Sequence, residues 1–236
     1  MSTTTSTTYQ RRRGEIENYF DRTAAQAWAR LTSDAPVGRV RATVRAGRDR
    51  MRSTLLSWLP ADLRGRRILD AGCGTGALAV EAARRGADVV AIDLSPTLVG
   101  LARERLPESL GLGSIDFRSG DMLDAALGEF DHVVAMDSLI HYRAEDAVAA
   151  LSRLAARTST SIVFTAAPRT PATMLMLAMG RLFPRGDRSP AIVPVAPEEL
   201  QRLMSLDPSL MHWQPGRFDS ITGGFYKSQA IEWKRL

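Results

Sequence analysis

Between Gly14 and about Leu59, apolar residues recur at intervals of three and four: Ile16, Tyr19, Phe20, Ala24, Ala27, Trp28 and Leu31, then Val40, Val44, Met51, Leu55, Leu56 and Leu59. That spacing predicts two amphipathic helices. Pro36 and Gly38 separate them, and Pro60 ends the second. The first 13 residues are rich in Thr and Ser and then basic, which predicts a disordered tail.

From Arg66 the period changes to short apolar runs alternating with helical segments. RRILDAG, DVVAID, SIDFRSGD, FDHVVAMD and TSIVFTAA read as strands. ALAVEAARRG, SPTLVGLARERL and RAEDAVAALSRLAART read as the helices between them, with Ser95 as an N-cap and Pro96 at the first helical position. The alternation predicts right-handed crossovers and a doubly wound, mainly parallel α/β sheet. After Ala167 it breaks. Residues 168–196 are apolar, Met-rich, Pro-rich and basic together; a helix (PEELQRLMSL) and two closing strands (MHWQPGRFDSI and GGFYKSQAIEWKRL) follow. An insertion there falls at the carboxyl edge of the sheet, where such folds bind ligands.

A chain of 236 residues with 44% hydrophobic composition can bury one substantial core. Its single cysteine, Cys73, permits no internal disulfide and fits a reducing compartment, and the polar N-terminus does not read as a secretory signal. The most apolar stretch, from Met174 to Phe183, is interrupted by Gly180 and Arg181 and falls short of the roughly 18 residues of a membrane span. A cytoplasmic protein is expected. The net charge of +5, carried mostly by arginine, suits a nucleic acid, an acidic membrane surface or a carboxylate-bearing substrate, and equally an ordinary solvated surface.

Chemistry concentrates at strand ends. Asp70-Ala71-Gly72-Cys73-Gly74-Thr75-Gly76 follows a strand and opens a helix, so its backbone can turn sharply and approach a ligand. An acid two residues before the first glycine would oppose a pyrophosphate but suits the ammonium of a methionine moiety. Asp93, followed by Leu94, ends the second strand, where a carboxylate can accept two ribose hydroxyls. Gly120-Asp121-Met122 follows the third, placing an acceptor for an adenine amino group beside a side chain that can cover the ring. Each acid alone could be a helix cap or turn former; three at successive strand ends point to S-adenosyl-L-methionine. The segment from Met136 to Tyr142, containing Asp137 and His141, follows the fourth strand. It lacks the Asn/Asp-Pro-Pro-Tyr/Phe pattern of many amide N-methyltransferases, which argues against a nucleic-acid base as target. His141 reads either as a hand on the substrate oxygen or as a loop histidine bonded to backbone.

The motifs from Arg66 to Phe164 resemble the class I S-adenosylmethionine-dependent methyltransferases, a resemblance that implies seven strands ending in an antiparallel hairpin. Three further segments, Glu17-Asn18-Tyr19-Phe20-Asp21 with Trp28, the run from Arg181 to Pro190, and Gly223-Gly224-Phe225-Tyr226-Lys227-Ser228-Gln229, resemble the magnesium protoporphyrin IX O-methyltransferases of chlorophyll and bacteriochlorophyll biosynthesis. That family esterifies one porphyrin propionate and produces S-adenosyl-L-homocysteine. The resemblance implies a helical lid over residues 14–60, a catalytic domain over 61–236 with a substrate-binding insertion at 168–196, and cofactor contacts at Asp70, Gly72, Gly74, Gly76, Asp93, Leu94, Asp121, Met122 and Asp137. It implies catalytic roles for His141 and for Tyr19, which reads equally as a core aromatic. The insertion would wall the porphyrin with Met174, Met179 and Phe183 and anchor its propionates with Arg181, Arg185 and Arg188; a Met stripe is as often plain core. No protein-bound metal is expected, magnesium entering only with the substrate. The porphyrin-binding large subunit of magnesium chelatase is an expected donor of substrate, and the photosynthetic membrane an expected peripheral contact. Methylation of another small carboxylate or phenol, and a non-catalytic binding protein of the same fold, are the competing readings.

Overall fold

The structure is a computed structural model and describes residues 7–23, 25–32, 36–171, 173–174 and 192–236. Seven strands form one sheet in the order β3-β2-β1-β4-β5-β7-β6. They are β1 (Arg67–Ala71), β2 (Asp88–Asp93), β3 (Ser114–Ser119), β4 (Phe130–Ala135), β5 (Thr158–Ala166), β6 (Trp213–Gly223) and β7 (Tyr226–Arg235). The first five pair in parallel, and β7 runs antiparallel between β5 and β6. Strand order reverses between β1 and β4, so the crevice at their carboxyl ends is the place for a ligand. The expected seven-stranded, doubly wound sheet with a closing hairpin is what the chain forms.

Alternate side chains feed two cores. Leu69 and Val133 join one cluster with Leu151, Leu154 and Met204, whereas Ile68 and Val134 join the other with Leu55, Leu56, Leu78 and Val99. Helices α4 (Ala77–Arg84), α5 (Pro96–Glu104), α6 (Ala144–Ala155) and α7 (Pro197–Leu206) supply the flanking layers. Ser95 caps α5 as its sequence suggests, accepting from Leu98 N–H, with Pro96 at the first position.

The N-terminal region differs from expectation in two respects. Helix α1 (Thr7–Asn18) begins inside the stretch 1–13 expected to be disordered, because Tyr9 is buried against the sheet domain and gives the segment a core contact. A π-helical turn (Tyr19–Thr23) and α2 (Ala25–Leu31) follow. Helix α3 (Arg39–Ser57) belongs to the domain core more than to a detachable lid over 14–60: Met51, Leu55 and Leu56 are fully buried. Gly47 lies so close to Tyr226 of β7 that a Cβ there would meet the ring at 2.6 Å.

Candidate active site

The turn after β1 is built by the backbone. Gly72 and Cys73 N–H both donate to Ile92 O at 2.8 and 3.0 Å, with Gly72 at φ 87°. A side chain at Gly72 would also strike the Cβ of Ser138. Asp93 braces the turn: Oδ2 accepts from Gly74 N–H at 2.8 Å and Oδ1 from Ser95 N–H at 3.0 Å. Gly76 serves packing, since it caps α4 at φ 79° with Phe117 against its α-carbon and borders none of the site's cavities.

Three cavities meet around Trp28 and Arg48, which line all of them. The first brings together the expected Gly72, Gly74, Asp93, Leu94, Asp121, Met122 and Asp137. Its far end contains a clamp the sequence did not reveal. Tyr9 hydroxyl and Leu123 N–H donate to Asp121 Oδ1 at 3.0 and 2.9 Å, Arg13 donates to Oδ2 at 3.0 Å, and the Tyr9 ring stacks on Tyr142 at 4.8 Å. Burial and the neighbouring Tyr142 and Asp121 push the Tyr9 hydroxyl far up, so it remains a donor.

The second cavity shares Gly72, Gly74 and Met136 with the first and adds Asp70 opposite Arg45 and Arg52 of α3. Asp70 is 1% exposed, and its Oδ2 has no hydrogen-bond partner among the described residues. Burial, with the charge of Asp93 adding to it, pushes its carboxyl up to about 7. A buried carboxylate with an unmet acceptor is costly by itself. An ammonium group of a bound amino-acid moiety fits that acceptor. Of the arginines on this wall, Arg52 is already paired with Asp49 and Glu81, and Arg45 donates to the Leu31 and Arg30 carbonyls.

The third cavity has an apolar wall including Phe20, Trp28, Ile140, Ile192 and Phe225. Tyr19 borders this cavity and not the first, so it faces the apolar side of the junction rather than covering the glycine turn. His141, on a 3₁₀ turn (Leu139–His141), borders both cavities and packs edge-on against Phe20 at 5.9 Å. Asp137 stands between them at φ 55°, its N–H donating to Thr165 Oγ1 at 2.7 Å. Its carboxylate accepts from Arg48 at 2.5 Å and from Tyr226 hydroxyl at 3.0 and 3.1 Å. Arg48 also stacks over Trp28, 4.7 Å from the ring centre. Met174 is 46% exposed and outside the lining; among the described residues of the insertion, Thr173 and Ile192 reach the cavity. Met179, Arg181, Phe183, Arg185 and Arg188 lie outside the described residues.

A doubly wound sheet with a glycine turn after β1, acids closing β1 and β2 and a third acid following β3 defines a class I S-adenosylmethionine-dependent methyltransferase. Residues 68–160 match the family model described as a methyltransferase domain, and residues 135–235 match that of the magnesium-protoporphyrin IX methyltransferase C-terminus. The chain is 52% identical to magnesium-protoporphyrin O-methyltransferase of Rhodobacter capsulatus, over 96% of this chain and 98% of that one. It is 34% identical to the protein of the same name from Synechocystis, covering 72% and 74%. The crystal structure of magnesium protoporphyrin IX methyltransferase from Synechocystis with bound SAH superposes with a TM-score of 0.82 at 28% identity, covering 94% of this chain and 99% of that one. The chain belongs to the magnesium-protoporphyrin IX methyltransferase family.

Proposed function

We propose that the chain transfers a methyl group from S-adenosyl-L-methionine to one propionate of magnesium protoporphyrin IX, giving the monomethyl ester in (bacterio)chlorophyll biosynthesis. The observation that carries this reading is the junction at Trp28 and Arg48. There, cavities bearing the buried Asp70, whose Oδ2 has no hydrogen-bond partner among the described residues, and the Asp93 and Asp121 acceptors meet a broad apolar cavity. The names of the 52% and 34% identical relatives support the same substrate.

Asp70 holds the ammonium end of the cofactor, Asp93 the ribose and Asp121 the adenine amino group, while Gly72 and Gly74 admit the backbone approach. When bound, S-adenosylmethionine supplies an electrophilic methyl: a carboxylate oxygen lone pair makes the O–CH₃ bond, the S–CH₃ pair returns to sulfur, and a neutral ester and S-adenosyl-L-homocysteine remain. No proton is transferred, and an ionised carboxylate is already a nucleophile near neutral pH. Opposite charges therefore disappear as the new bond forms. An environment of Phe20, Trp28 and Ile140 disfavours the charged reactants more than the less charged transition state, and it excludes water. The remaining task is alignment, which falls to His141 and Tyr19 on the cavity wall.

Among the described residues no helix is long and apolar enough to cross a membrane. We read the chain as a cytoplasmic protein that receives porphyrin from the large subunit of magnesium chelatase and touches the membrane peripherally. Its net charge of +5 and the exposed Phe218 and Phe225 support contact with an anionic, partly apolar surface. Titration with magnesium protoporphyrin, followed by its absorbance, tests the substrate assignment. Binding is expected to saturate with S-adenosylhomocysteine present, and His141→Ala to lower turnover more than porphyrin affinity. Absence of saturable binding contradicts the reading.

A further inference from the structure

Within the third cavity, the Arg and Lys side chains among the described residues are Arg48 and Lys227. Their positions differ. Arg48 lies where this cavity meets both others, whereas Lys227, at the start of β7, borders the third cavity alone. Lys227 is half-buried and has no ion-pair partner among the described residues. Arg48 hydrogen-bonds through Nη1 to Asp137, leaving its other guanidinium nitrogens without a hydrogen bond among the described residues. An apolar cavity with one cation at the reaction end and another elsewhere on its wall matches a flat apolar substrate with two carboxylates.

Resting on the functional reading above, we propose that Arg48 and Lys227 divide the two propionates between them. Arg48 orients the carboxylate that is methylated, and Lys227 holds the one that is not. Together they make the enzyme stop at the monoester. The pairing of Arg48 suits its part. An isolated cation would draw electron density from the attacking oxygen and slow it, but Asp137 already balances this charge, so Arg48 acts mainly as a directional donor. Trp28 beneath the guanidinium and Tyr226 on Asp137 fix the geometry. Lys227 is a flexible point charge, adequate for holding a spectator group. Its selectivity follows from charge. Once one propionate is esterified, methylating the other requires the product to turn over and place a neutral ester at Lys227, which forfeits the ion pair.

The test compares wild type with Lys227→Met, Lys227→Arg and Arg48→Lys on magnesium protoporphyrin IX, separating monoester and diester by chromatography with mass detection. Lys227→Met is expected to raise the porphyrin KM about tenfold, because the propionate no longer meets a cation, and to accumulate diester on long incubation. Lys227→Arg should restore monoester as the sole product. Arg48→Lys keeps the charge but not the fork, and should lower kcat at least about tenfold while the Kd for S-adenosylhomocysteine changes less than about threefold. Wild-type KM with monoester alone in Lys227→Met overturns the proposal, as does an Arg48→Lys variant that loses S-adenosylhomocysteine affinity in place of turnover. A wild-type protein that esterifies no porphyrin overturns the functional reading itself, a result distinct from either.

Discussion

Arg48 and Asp137 come from segments far apart in the chain, α3 and the turn after β4, yet they meet at 2.5 Å between the first and third cavities. Their side chains are 19% and 8% exposed, so the pair is largely withdrawn from water and joins the N-terminal helices to the sheet edge. Removing one partner of such a pair strands the other charge.

Asp137→Asn keeps the shape and a side chain that tolerates the left-handed backbone, but it leaves Arg48 uncompensated. A loss of about 1–3 kcal/mol in unfolding free energy is expected, with a fall in kcat larger than the rise in porphyrin KM. Denaturant unfolding and steady-state kinetics read the two effects. Wild-type stability and kcat together would remove the pair from the account.

Asp93→Ala is expected to weaken S-adenosylhomocysteine binding by on the order of 1.5–3 kcal/mol for each charge-assisted hydrogen bond to the ribose that it removes. Because Asp93 also accepts from Gly74 and Ser95 N–H, the substitution should destabilise the ligand-free protein as well. Calorimetric titration checks the first effect and thermal unfolding the second. An unchanged Kd contradicts the ribose assignment.

Asp70 makes cofactor binding pH-dependent. In an unfolded chain its carboxyl ionises near 4; in the fold, burial and then Asp93 hold the proton to about pH 7. The folded state carries the extra proton between these values, so ligand-free stability from this group falls as pH rises through that window and the penalty is complete above about 7. A bound ammonium favours the ionised form. Affinity for S-adenosylhomocysteine should therefore weaken below about pH 7, by up to about tenfold per unit, with proton uptake by the freed enzyme. Calorimetry in buffers of different ionisation enthalpy measures this linkage. The slope should vanish in Asp70→Asn, and a slope that persists there would assign the proton to another group.

Deleting residues 1–37 removes α1 and α2 but keeps α3, whose Met51, Leu55 and Leu56 are core. Turnover is expected to be lost, because Phe20, Trp28 and Tyr19 leave the substrate cavity. Cooperative unfolding should remain, with a loss on the order of 1.5–3 kcal/mol for each buried side chain removed, Tyr9 and Ile16 among them. Full-rate porphyrin methylation by the truncated chain contradicts the role given to these helices.

Sheet topology is legible in the sequence because a change of period at Arg66 and acids at strand ends are local signals. Asp70, Asp93, Asp121 and Asp137 can be placed from position alone. What stays hidden depends on long-range packing. Arg48 reads as one more solvated arginine beside Arg39, Arg41, Arg45, Arg50 and Arg52, and only its apposition to Trp28 and Asp137 distinguishes it. Tyr9 and Arg13 sit in a polar, low-hydropathy stretch that reads as disorder; their order comes from Asp121 and Tyr142, more than a hundred residues away. Lys227 carries no local signal beyond a segment resembling the family. A helical Met pattern puts Met174 on the porphyrin wall, but pattern alone does not say which face a residue takes, and it lies exposed.

The most direct measurement is turnover of the purified chain with S-adenosylmethionine and magnesium protoporphyrin IX, quantifying porphyrin ester and S-adenosylhomocysteine in the same samples. Equal amounts of monomethyl ester and S-adenosylhomocysteine are predicted, with both lost in Asp70→Ala and strongly reduced in His141→Ala. S-adenosylhomocysteine formed without porphyrin ester, or no methyl transfer to the porphyrin by a protein that binds both molecules, would contradict the account.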